Sequence, residues 1–378
     1  MMKKVGIIGY AVLGFEDDVK LRSDELVFWS TKPALDMAGI DRQDLGVSVI
    51  SSLDAYDGIT ISNGLMAPAG GGFEKDATRV QGGGVSCIMS ACASILSDSA
   101  EFAVVAGADA VNYDDSMVSN LAYDPIFRRD VWMSNIASYG LVAASLLKNT
   151  GATEKDFAAL AAKNYEAAAQ NPNAHRKETY SLDEVLASSM VYWPLRALEI
   201  GPVSKGGAAL ILASEEKTRE ITDDPIWITG IAGGSNQYYG TWPDLMEMKG
   251  LKRACETAYK MAGIKNPASE IDTAEIFNPF SPFELQAYEA LGFCAPGKAL
   301  DLLHDGVTSL GGTKPVNTSG GALAVNPSGC GGIYRTIQAL EYLKKDGRAQ
   351  KSVVQDSDIN LGFFGETYHV LVMERGGK

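Results

Sequence analysis

Two glycine-rich segments contain the residues best suited to chemistry. The segment "GGTKPVNTSGGALAVNPSGCGG" at 311–332 contains seven glycines, and "GGGVSCIMSACASIL" begins at residue 82. Each runs into an apolar pattern of helical spacing. Each would therefore direct backbone N–H groups and the positive end of a helix dipole at a bound anion or a developing oxyanion. The residues expected to form these substrate and oxyanion loops are Gly83, Gly84, Ser86, Asn278, Gly320, Gly321 and Gly329.

Two other interpretations of the glycines remain open. A nucleotide-binding loop is disfavoured, because neither segment contains the pattern GxxxxGK[ST] or a GxGxxG that follows a strand. Alternatively, the glycines only allow two helices to pack closely at a pseudo-symmetric centre, without contacting any ligand.

Cys87 and Cys330 are the candidate nucleophiles. Each lies near the start of the helix that follows one glycine segment, where the pKa of a thiol can be lowered. The ordinary alternative is a small buried cysteine in a close-packed helix. His175, His304 and His369 all lie far from both cysteines in sequence, so no cysteine–histidine pair of an activated nucleophile is visible. We expect His369 to be structural.

The amino-acid composition and the net charge exclude several classes of protein and partner. The chain has 378 residues, of which 46% are hydrophobic and 21% charged, as is ordinary for a globular protein. Its net charge of −14 disfavours a nucleic-acid partner. It contains no run of twenty apolar residues, and its start predicts a core strand rather than a signal peptide, so no membrane partner is expected. Five scattered cysteines and three histidines predict a reduced, cytoplasmic protein without a metal site.

A strand–helix–strand pattern occurs twice along the chain. "VGIIG" at 5–9 and "IWITGIAGG" at 226–234 both read as strands, and each is followed by a helix. The tetrapeptide "MAGI" recurs at 37–40 and 261–264, each time between a helix and a strand. This order predicts an internal duplication in which each half is an α/β unit. The predicted halves are 1–225 and 226–378, the first containing an insertion at about 111–190 that covers one of its faces.

Four segments together resemble the thiolase superfamily: "RVQGGGVS", "PLRALEIGPVSKGGAAL", "FELQAYEALGFCAPGK" and "GGTKPVNTSGGALAVNPSGCGG". The branch that they resemble most contains sterol-carrier-protein-type thiolases and lipid-transfer-protein-like aldolases. The likeness runs over nearly the whole chain in the expected order. It implies an α/β fold with five layers, αβαβα, built from two duplicated halves.

The same resemblance implies substrates and partners. The substrates would be acyl-CoA thioesters, so coenzyme A would arrive as part of the substrate and no cofactor would be bound covalently. A tight dimer, with itself or with a homologous thiolase chain, would form through an edge strand of the first half, which we expect at 102–108. A small zinc-ribbon and OB-fold protein is a further expected partner.

The chain departs from the family at the positions that carry out thiolase chemistry. When "RVQGGGVS" is aligned with the family's nucleophile loop, Gly84 stands where the cysteine belongs. Asn326 stands in place of the histidine base, and Phe277 in place of an Asn or His oxyanion donor. The second thiolase cysteine, expected within "NLGFFGET", is absent. The related aldolases resemble the chain in the triple-glycine loop, but they use tyrosines at the positions of Phe277 and Asn326.

Two functions follow as hypotheses. The first is a thiolase-type subunit that cleaves or forms the C–C bond of a β-keto or β-hydroxy acyl-CoA in a hetero-oligomeric complex, and is weakly active or inactive alone. The second is an aldolase-like lyase that acts on a β-hydroxy acyl-CoA with a non-standard acid–base pair. The catalytic candidates are Cys87, Cys330 and Asn326.

Overall fold

The computed structural model describes residues 3–110, 134–236, 247–358 and 367–376. Residues 111–133 of the predicted insertion and most of "NLGFFGET" lie outside these ranges. The strands are β1 (Val5–Glu16), β2 (Val47–Ser51), β3 (Asp76–Val80), β4 (Phe102–Asp109), β5 (Met190–Tyr192), β6 (Leu195–Arg196), β7 (Lys205–Ser214), β8 (Ile226–Ser235), β9 (Thr273–Ile276), β10 (Lys351–Ser357) and β11 (Thr367–Arg375).

The helices of the described ranges follow in chain order. They are α1 (Ser23–Ala38), α2 (Asp54–Asp57), α3 (Ser62–Ala69), α4 (Val85–Leu96), α5 (Asn135–Asn149), α6 (Glu154–Ala168), α7 (Leu182–Ala187), α8 (Glu215–Ile221), α9 (Lys249–Ala262), α10 (Pro267–Glu270), α11 (Phe283–Ala290), α12 (Ala299–His304), α13 (Gly321–Ala324) and α14 (Gly331–Lys345).

The strand order shows the duplication. In the described ranges, nine strands form one sheet in the order β3-β2-β4-β7-β1-β8-β11-β10-β9. The run β2-β4-β7-β1 has one parallel pairing followed by two antiparallel ones, and the run β9-β10-β11-β8 repeats this sequence of pairings. The two runs join at the centre, where β1 and β8 pair antiparallel through Val5–Ile228, Gly6–Trp227 and Ile7–Ile226.

The recurring tetrapeptide "MAGI" ends the corresponding helix of each half. Gly39 and Gly263 both adopt left-handed backbone conformations, with φ of 66° and 72°. In each case the following isoleucine N–H bonds back into the last helical turn, Ile40 to Leu35 and Ile264 to Tyr259. The repeat is therefore a helix C-cap that requires glycine.

The layers follow from which helices contact which strands. α1 packs on strands of the first half and α9 on β8 and β11, whereas α4 and α14 contact strands of both halves and each other. The central core accordingly unites Ile88 and Ile333 of these two helices with Val105 and Val354 of the two halves. This is the predicted five-layered αβαβα arrangement. The division at residue 225 remains a prediction.

One expectation about the first half is wrong. The strand at 102–108, expected at the edge of the sheet, lies between β2 and β7, and the edge strand is β3. The described part of the insertion contacts both halves, since Ala168 and Ala174 share the central core with residues of the first half, and its covering of one face of the first half remains a prediction. Leu146 of α5 and Phe157 of α6 share a core with Phe280 and Tyr288 of the second half.

Among the described helices, none is long and apolar enough to cross a membrane.

One carboxylate joins the starts of the two central helices. Asp356, at the end of β10, is 1% exposed and forms a buried ion pair with Arg335 of α14. Its second oxygen, Oδ2, accepts a hydrogen bond of 3.3 Å from the backbone N–H of Val85, the first residue of α4. The Gly332 N–H also donates to the Gly83 carbonyl at 2.5 Å. Asp356 therefore neutralises a buried cation and binds the positive end of a helix.

This contact explains part of the glycine content of both segments. A Cβ atom at Gly332 would overlap Asp356 Oδ2 and lie 2.7 Å from the Val85 nitrogen. A Cβ atom at Gly83 would lie 2.6 Å from the same carboxylate oxygen. Close packing at the pseudo-symmetric centre thus requires glycine at these two positions.

We predict that Gly332→Ala destabilises the protein, whereas Gly347→Ala does not. Overpacking at a buried site costs about 1–3 kcal/mol, and the methyl group added at position 332 would displace Asp356 from both helices. A Cβ atom at Gly347 meets nothing within 4 Å, so this control should change the free energy of unfolding by less than about 1 kcal/mol. Chemical denaturation of both variants measures the difference. Equal stabilities would contradict the proposed role of Asp356.

Candidate functional site

The two glycine segments meet where the parallel strands of the first half end. Ser51 ends β2, Asp109 ends β4, and the Ser51 hydroxyl donates to the Gly82 carbonyl at 2.6 Å. The carboxyl ends of parallel strands are the usual location of ligand sites in α/β folds. The prediction that both central helices begin at one place is confirmed, since the starts of α4 and α14 are in contact.

Gly84 adopts a backbone conformation that excludes a cysteine. Its φ of 125° is rarely adopted by residues with a side chain, and a Cβ atom there would lie 2.5 Å from the Ile333 nitrogen. The start of α14 therefore occupies the space into which a side chain at position 84 would project. The missing nucleophile is a consequence of how the two helices pack, and a single substitution would not restore it.

Cys87 and Cys330 lie near this junction but are fully buried. Burial raises the pKa of the Cys87 thiol to about 12, and its Sγ lies 3.9 Å from the Val80 carbonyl oxygen. Burial and the neighbouring Asp109 raise the pKa of the Cys330 thiol well above its usual range. Both groups therefore remain protonated thiols at neutral pH, which is unfavourable for a nucleophile. Their catalytic role remains a prediction that this burial opposes.

The predicted oxyanion loops fall into two groups. Gly83, Gly84, Ser86 and Gly329 lie at the junction of α4 and α14, where the Gly329 N–H already donates to Asp109 at 2.8 Å. The other predicted residues are Asn278, Gly320 and Gly321, which belong to a separate buried network around Glu284 of α11.

The network around Glu284 explains the signature "KPVNTSGG". Glu284 is 0% exposed, and its carboxylate accepts hydrogen bonds of 2.6 Å from Lys163 Nζ and 2.7 Å from Asn278 Nδ2. The Asn278 side-chain oxygen in turn accepts the Ala322 N–H at 2.7 Å, which fixes the start of α13. Asn317 contributes a further bond to Glu284 at 3.2 Å. These bonds hold the second glycine segment against α11. The Asn278 amide makes its hydrogen bonds to Glu284 and Ala322 within the protein.

Asn326 is fixed through its backbone. Its N–H donates to Ser204 Oγ at 3.0 Å, and Ser204 Oγ lies 2.9 Å from His175 Nδ1. The other nitrogen of this ring, Nε2, lies 3.1 Å from Asp17 Oδ1. Since Ser204 accepts from Asn326, its hydroxyl proton is free to donate to His175. The three side chains position the backbone of Asn326, and a catalytic role for its amide remains a prediction.

Phe277 lies beneath the buried cation. The Arg335 guanidinium lies 4.7 Å from the centre of the Phe277 ring. The Phe277 N–H donates to the Gln355 backbone carbonyl at 3.1 Å. A cation–π contact of this kind stabilises a desolvated arginine. The ring therefore helps to hold Arg335 under the glycine junction, and it cannot donate a hydrogen bond to an oxyanion.

A cluster of Ser86, Asp358 and His369 lies beside Gly82, and sequence reasoning missed it. β10 and β11 pair Asp356 with His369, which brings His369 to this end of the sheet. Its Nδ1 lies 3.5 Å from Asp358 Oδ1. A Cβ atom at Gly82 would overlap Ser86 Oγ and lie 2.5 Å from Asp358 Oδ1, so both groups flank this glycine. Burial raises the pKa of the Asp358 carboxyl.

Several polar atoms around this cluster have no hydrogen-bond partner within the described ranges. Each is buried, and each can still donate or accept a hydrogen bond. They are Ser86 Oγ, Arg335 Nε and Nη1, Gln355 Nε2, Ser357 Oγ, Asp358 Oδ1 and His369 Nδ1. A signal for some of them exists in the sequence, because "QDSD" at 355–358 places four polar residues in a row directly after the apolar pair Val353–Val354.

Two cavities lie elsewhere in the described structure. One of about 420 Å³ is lined by Leu146, Met248 and Leu285 in the outer layer of the second half. The other, of about 500 Å³, is lined by Val5 and Ile228 where β1 meets β8. Neither is lined by the glycines of the helix junction, and the second cavity touches the first glycine segment at Cys92 and Leu96, towards the far end of α4. The polar cluster is therefore the better candidate for chemistry.

Comparisons with known proteins agree with this architecture. The family model described as "Thiolase C-terminal domain-like" matches residues 232–367. An "Acetyl-CoA acetyltransferase" of Methanothermobacter thermautotrophicus is 28% identical over 392 residues, covering 99% of this chain and 100% of that protein. "Sterol carrier protein 2" of Gallus gallus is 33% identical over 228 residues, covering 55% of this chain and 41% of that protein. The solved structure "Ltp2-ChsH2(DUF35) aldolase" matches with a TM-score of 0.83 at 23% identity, covering 98% of both chains.

The duplicated halves and the helix junction between them define a thiolase-type fold. The family model and the sterol carrier protein relative support the resemblance to the thiolase superfamily, in its sterol-carrier-protein-like branch. The resemblance drawn from the sequence is thereby confirmed.

Asp109 is a buried carboxyl at the same junction. Its Oδ2 accepts the Gly329 N–H, and the Cys330 thiol lies 3.8 Å from the same oxygen. Burial raises the pKa of Asp109 to about 7, an effect that the backbone N–H bond of Gly329 only partly offsets. The folded state therefore binds a proton at this site more tightly than the unfolded chain does.

We predict that Asp109 makes the protein less stable as pH rises. The stabilisation from the protonated carboxyl is complete below the pKa that Asp109 has in the unfolded chain. It is lost as the pH rises through the pKa in the folded protein, and these two pKa values lie about three pH units apart. At about 1.4 kcal/mol per pKa unit, the loss is on the order of 4 kcal/mol. Asp109→Asn, which keeps the acceptor oxygen, should remove this part of the pH dependence.

Urea denaturation of both proteins at pH values from 4 to 8 measures the effect. Burial also raises the pKa values of Asp57 and Glu199, to about 6 and about 7. Both groups therefore lower the stability as pH rises, in the unmodified protein and in the variant. The difference between the two curves therefore reports Asp109 together with its electrostatic effect on Asp57. Parallel curves would show that this carboxyl does not titrate as described.

Proposed function

We propose that this chain is the thiolase-fold subunit of a complex that makes or breaks the bond between the α- and β-carbons of an acyl-CoA, without a covalent acyl-enzyme. Gly84 carries this proposal, because its backbone conformation and its contact with Ile333 leave no place for the nucleophile. The acyl-CoA is the substrate, and coenzyme A is present only as part of it.

The similar proteins support the substrate class and the reaction. One is named an acetyl-CoA acetyltransferase, and the solved structure is named an aldolase. An aldolase breaks a carbon–carbon bond through an enolate, and this step needs a base and oxyanion stabilisation but no thiolate. The polar cluster at the glycine junction supplies groups that can act as the base.

The proposed reaction is balanced without an added oxidant or reductant. A base removes the proton of the β-hydroxyl, the Cα–Cβ bond breaks, and the β-carbon leaves as a ketone or aldehyde. The electron pair of the bond remains on the CoA thioester as an enolate. Protonation of the α-carbon then gives the shortened acyl-CoA, so the proton removed in the first step is returned in the last.

Acyl transfer through Cys330 is the second candidate. Its thiol lies at the start of the 15-residue helix α14 and beside Asp109. This position favours the reaction geometrically, although burial raises the pKa of the thiol well above its usual range. Losing a general base alone costs about 10²–10⁴ in rate, and Asn326 cannot replace it.

A partner chain is part of the proposal. The solved aldolase that this fold matches is named with a second component, ChsH2, and a DUF35 domain. We propose that this chain likewise acts with a zinc-ribbon and OB-fold protein or with a homologous thiolase chain, and that it is weakly active or inactive alone.

We predict that the purified chain forms no acyl adduct with acetoacetyl-CoA. The complex co-purified from its source should release a carbonyl compound and a shorter acyl-CoA from a β-hydroxy acyl-CoA. Intact-mass spectrometry tests the first result, and chromatography of the CoA products tests the second. Cys87→Ser and Cys330→Ser should leave the second reaction within a few-fold of the unmodified complex. A stable adduct on either cysteine would replace this mechanism by acyl transfer.

We also propose a dimer that forms along β3. Within the described ranges this strand pairs on one side only, with β2, and it lies beside α3. Nearby side chains expose an apolar surface, with Ile61 74% and Phe73 70% exposed. An open strand edge next to an apolar surface is suited to pairing with another chain.

We predict that Phe73→Glu weakens this dimer. The charge would be buried without a partner at an apolar contact. Sedimentation at micromolar concentration should show a dimer for the unmodified chain and a shift towards monomer for the variant. Ile221→Glu, on α8, serves as the control and should sediment like the unmodified chain. A monomeric unmodified chain would contradict the assignment.

A further inference from the structure

His369 differs from the other two histidines in the burial of its ring and in the hydrogen bonding of its ring nitrogens. His175 has a polar group at each ring nitrogen, Ser204 at 2.9 Å and Asp17 at 3.1 Å. The side chain of His304 is 57% exposed and its Nε2 is 2.6 Å from Asp156. The His369 side chain is only 6% exposed, and its Nδ1 has no hydrogen-bond partner within the described ranges. A buried imidazole with a free nitrogen is the form that can take up a proton from a bound molecule.

Asp358 is placed to complete a pair with this imidazole. Its Oδ1 lies 3.5 Å from His369 Nδ1, within ion-pair distance but without a hydrogen bond. A polar atom of a substrate can therefore approach either group, and catalytic contacts are commonly loose before substrate binds. The side chain of Asp358 is 24% exposed, which gives the pair a path to solvent.

The other ionisable groups near the pair either have partners already or stay neutral. Asp356, which β-sheet pairing places opposite His369, is bound to Arg335 and to the start of α4. The Cys87 thiol faces both carboxylates, and burial raises its pKa to about 12, so it stays neutral. Among the described groups beside Gly82, Asp358 and His369 are therefore left to exchange a proton with a ligand.

We propose that His369 and Asp358 form the acid–base pair of the carbon–carbon step, at the side of the glycine junction formed by Gly82 and Ser86. This inference rests on the proposed function. His369 Nδ1 accepts the proton of the substrate β-hydroxyl as the Cα–Cβ bond breaks. Asp358 holds the resulting imidazolium, and the pair then delivers the same proton to the α-carbon of the CoA enolate. The pair ends in the state in which it began.

Histidine NMR tests the pair without relying on turnover. Because the chain has three histidines, the ring signals are assigned from His175→Gln, His304→Gln and His369→Gln. A non-cleavable thioether analogue of acetyl-CoA should shift the His369 signal and leave the His304 signal unchanged. Calorimetry establishes separately that the analogue binds. Binding with an unaffected His369 signal would overturn the pair, whereas the absence of any binding to the chain or its complex would overturn the proposed function itself.

Kinetics of the co-purified complex provide the second test. His369→Gln and Asp358→Asn should each lower kcat for β-hydroxy acyl-CoA cleavage by about 10²-fold or more, with KM changed only a few-fold. They should also slow deuterium exchange at the α-carbon of the product acyl-CoA. His304→Gln is the matched control and should match the unmodified complex. Activity within three-fold of the unmodified complex in a folded His369→Gln variant would refute the pair while leaving the reaction intact.

Discussion

Asp356 determines how the two halves of this protein meet. Its carboxylate pairs with Arg335 of α14 and accepts the first N–H of α4, in a site that is 1% exposed. A buried ion pair is stable only when every partner is present, so both central helices must begin within reach of this one group. Gly83 and Gly332 follow from that requirement, because a side chain at either would overlap the carboxylate.

The same packing decides which chemistry is possible. Bringing the start of α14 against Gly84 removes the space for a thiolate at the tip of the first glycine segment. The two nearby thiols are buried and protonated. Polar groups of β10 and β11 lie on the other side of the junction, where several buried donors and acceptors remain unused within the described ranges. These features support the proposal of proton transfer at a bound thioester rather than transfer of its acyl group.

The duplication, the five layers and the starts of the central helices could be predicted from the sequence, because they depend on local periodicity and on glycine positions. The edge strand could not, because only the pairing of β3 and β4 with β2 shows which of the two lies outside. Asp358 and His369 are separated by a segment of chain, and only the pairing of β10 with β11 brings them together. Asn278 resembled an oxyanion donor, but Glu284, from a different helix, holds its amide.

A crystal structure of the complex with a non-cleavable acyl-CoA thioether is the sharpest test of proton transfer at the glycine junction. We expect an unattached acyl group beside Gly82, with the β-substituent within hydrogen-bonding distance of His369 or Asp358, and with Cys87 and Cys330 unmodified. An acyl group bound at either thiol, or located in the outer cavity beside Leu146 and Met248, would contradict this mechanism.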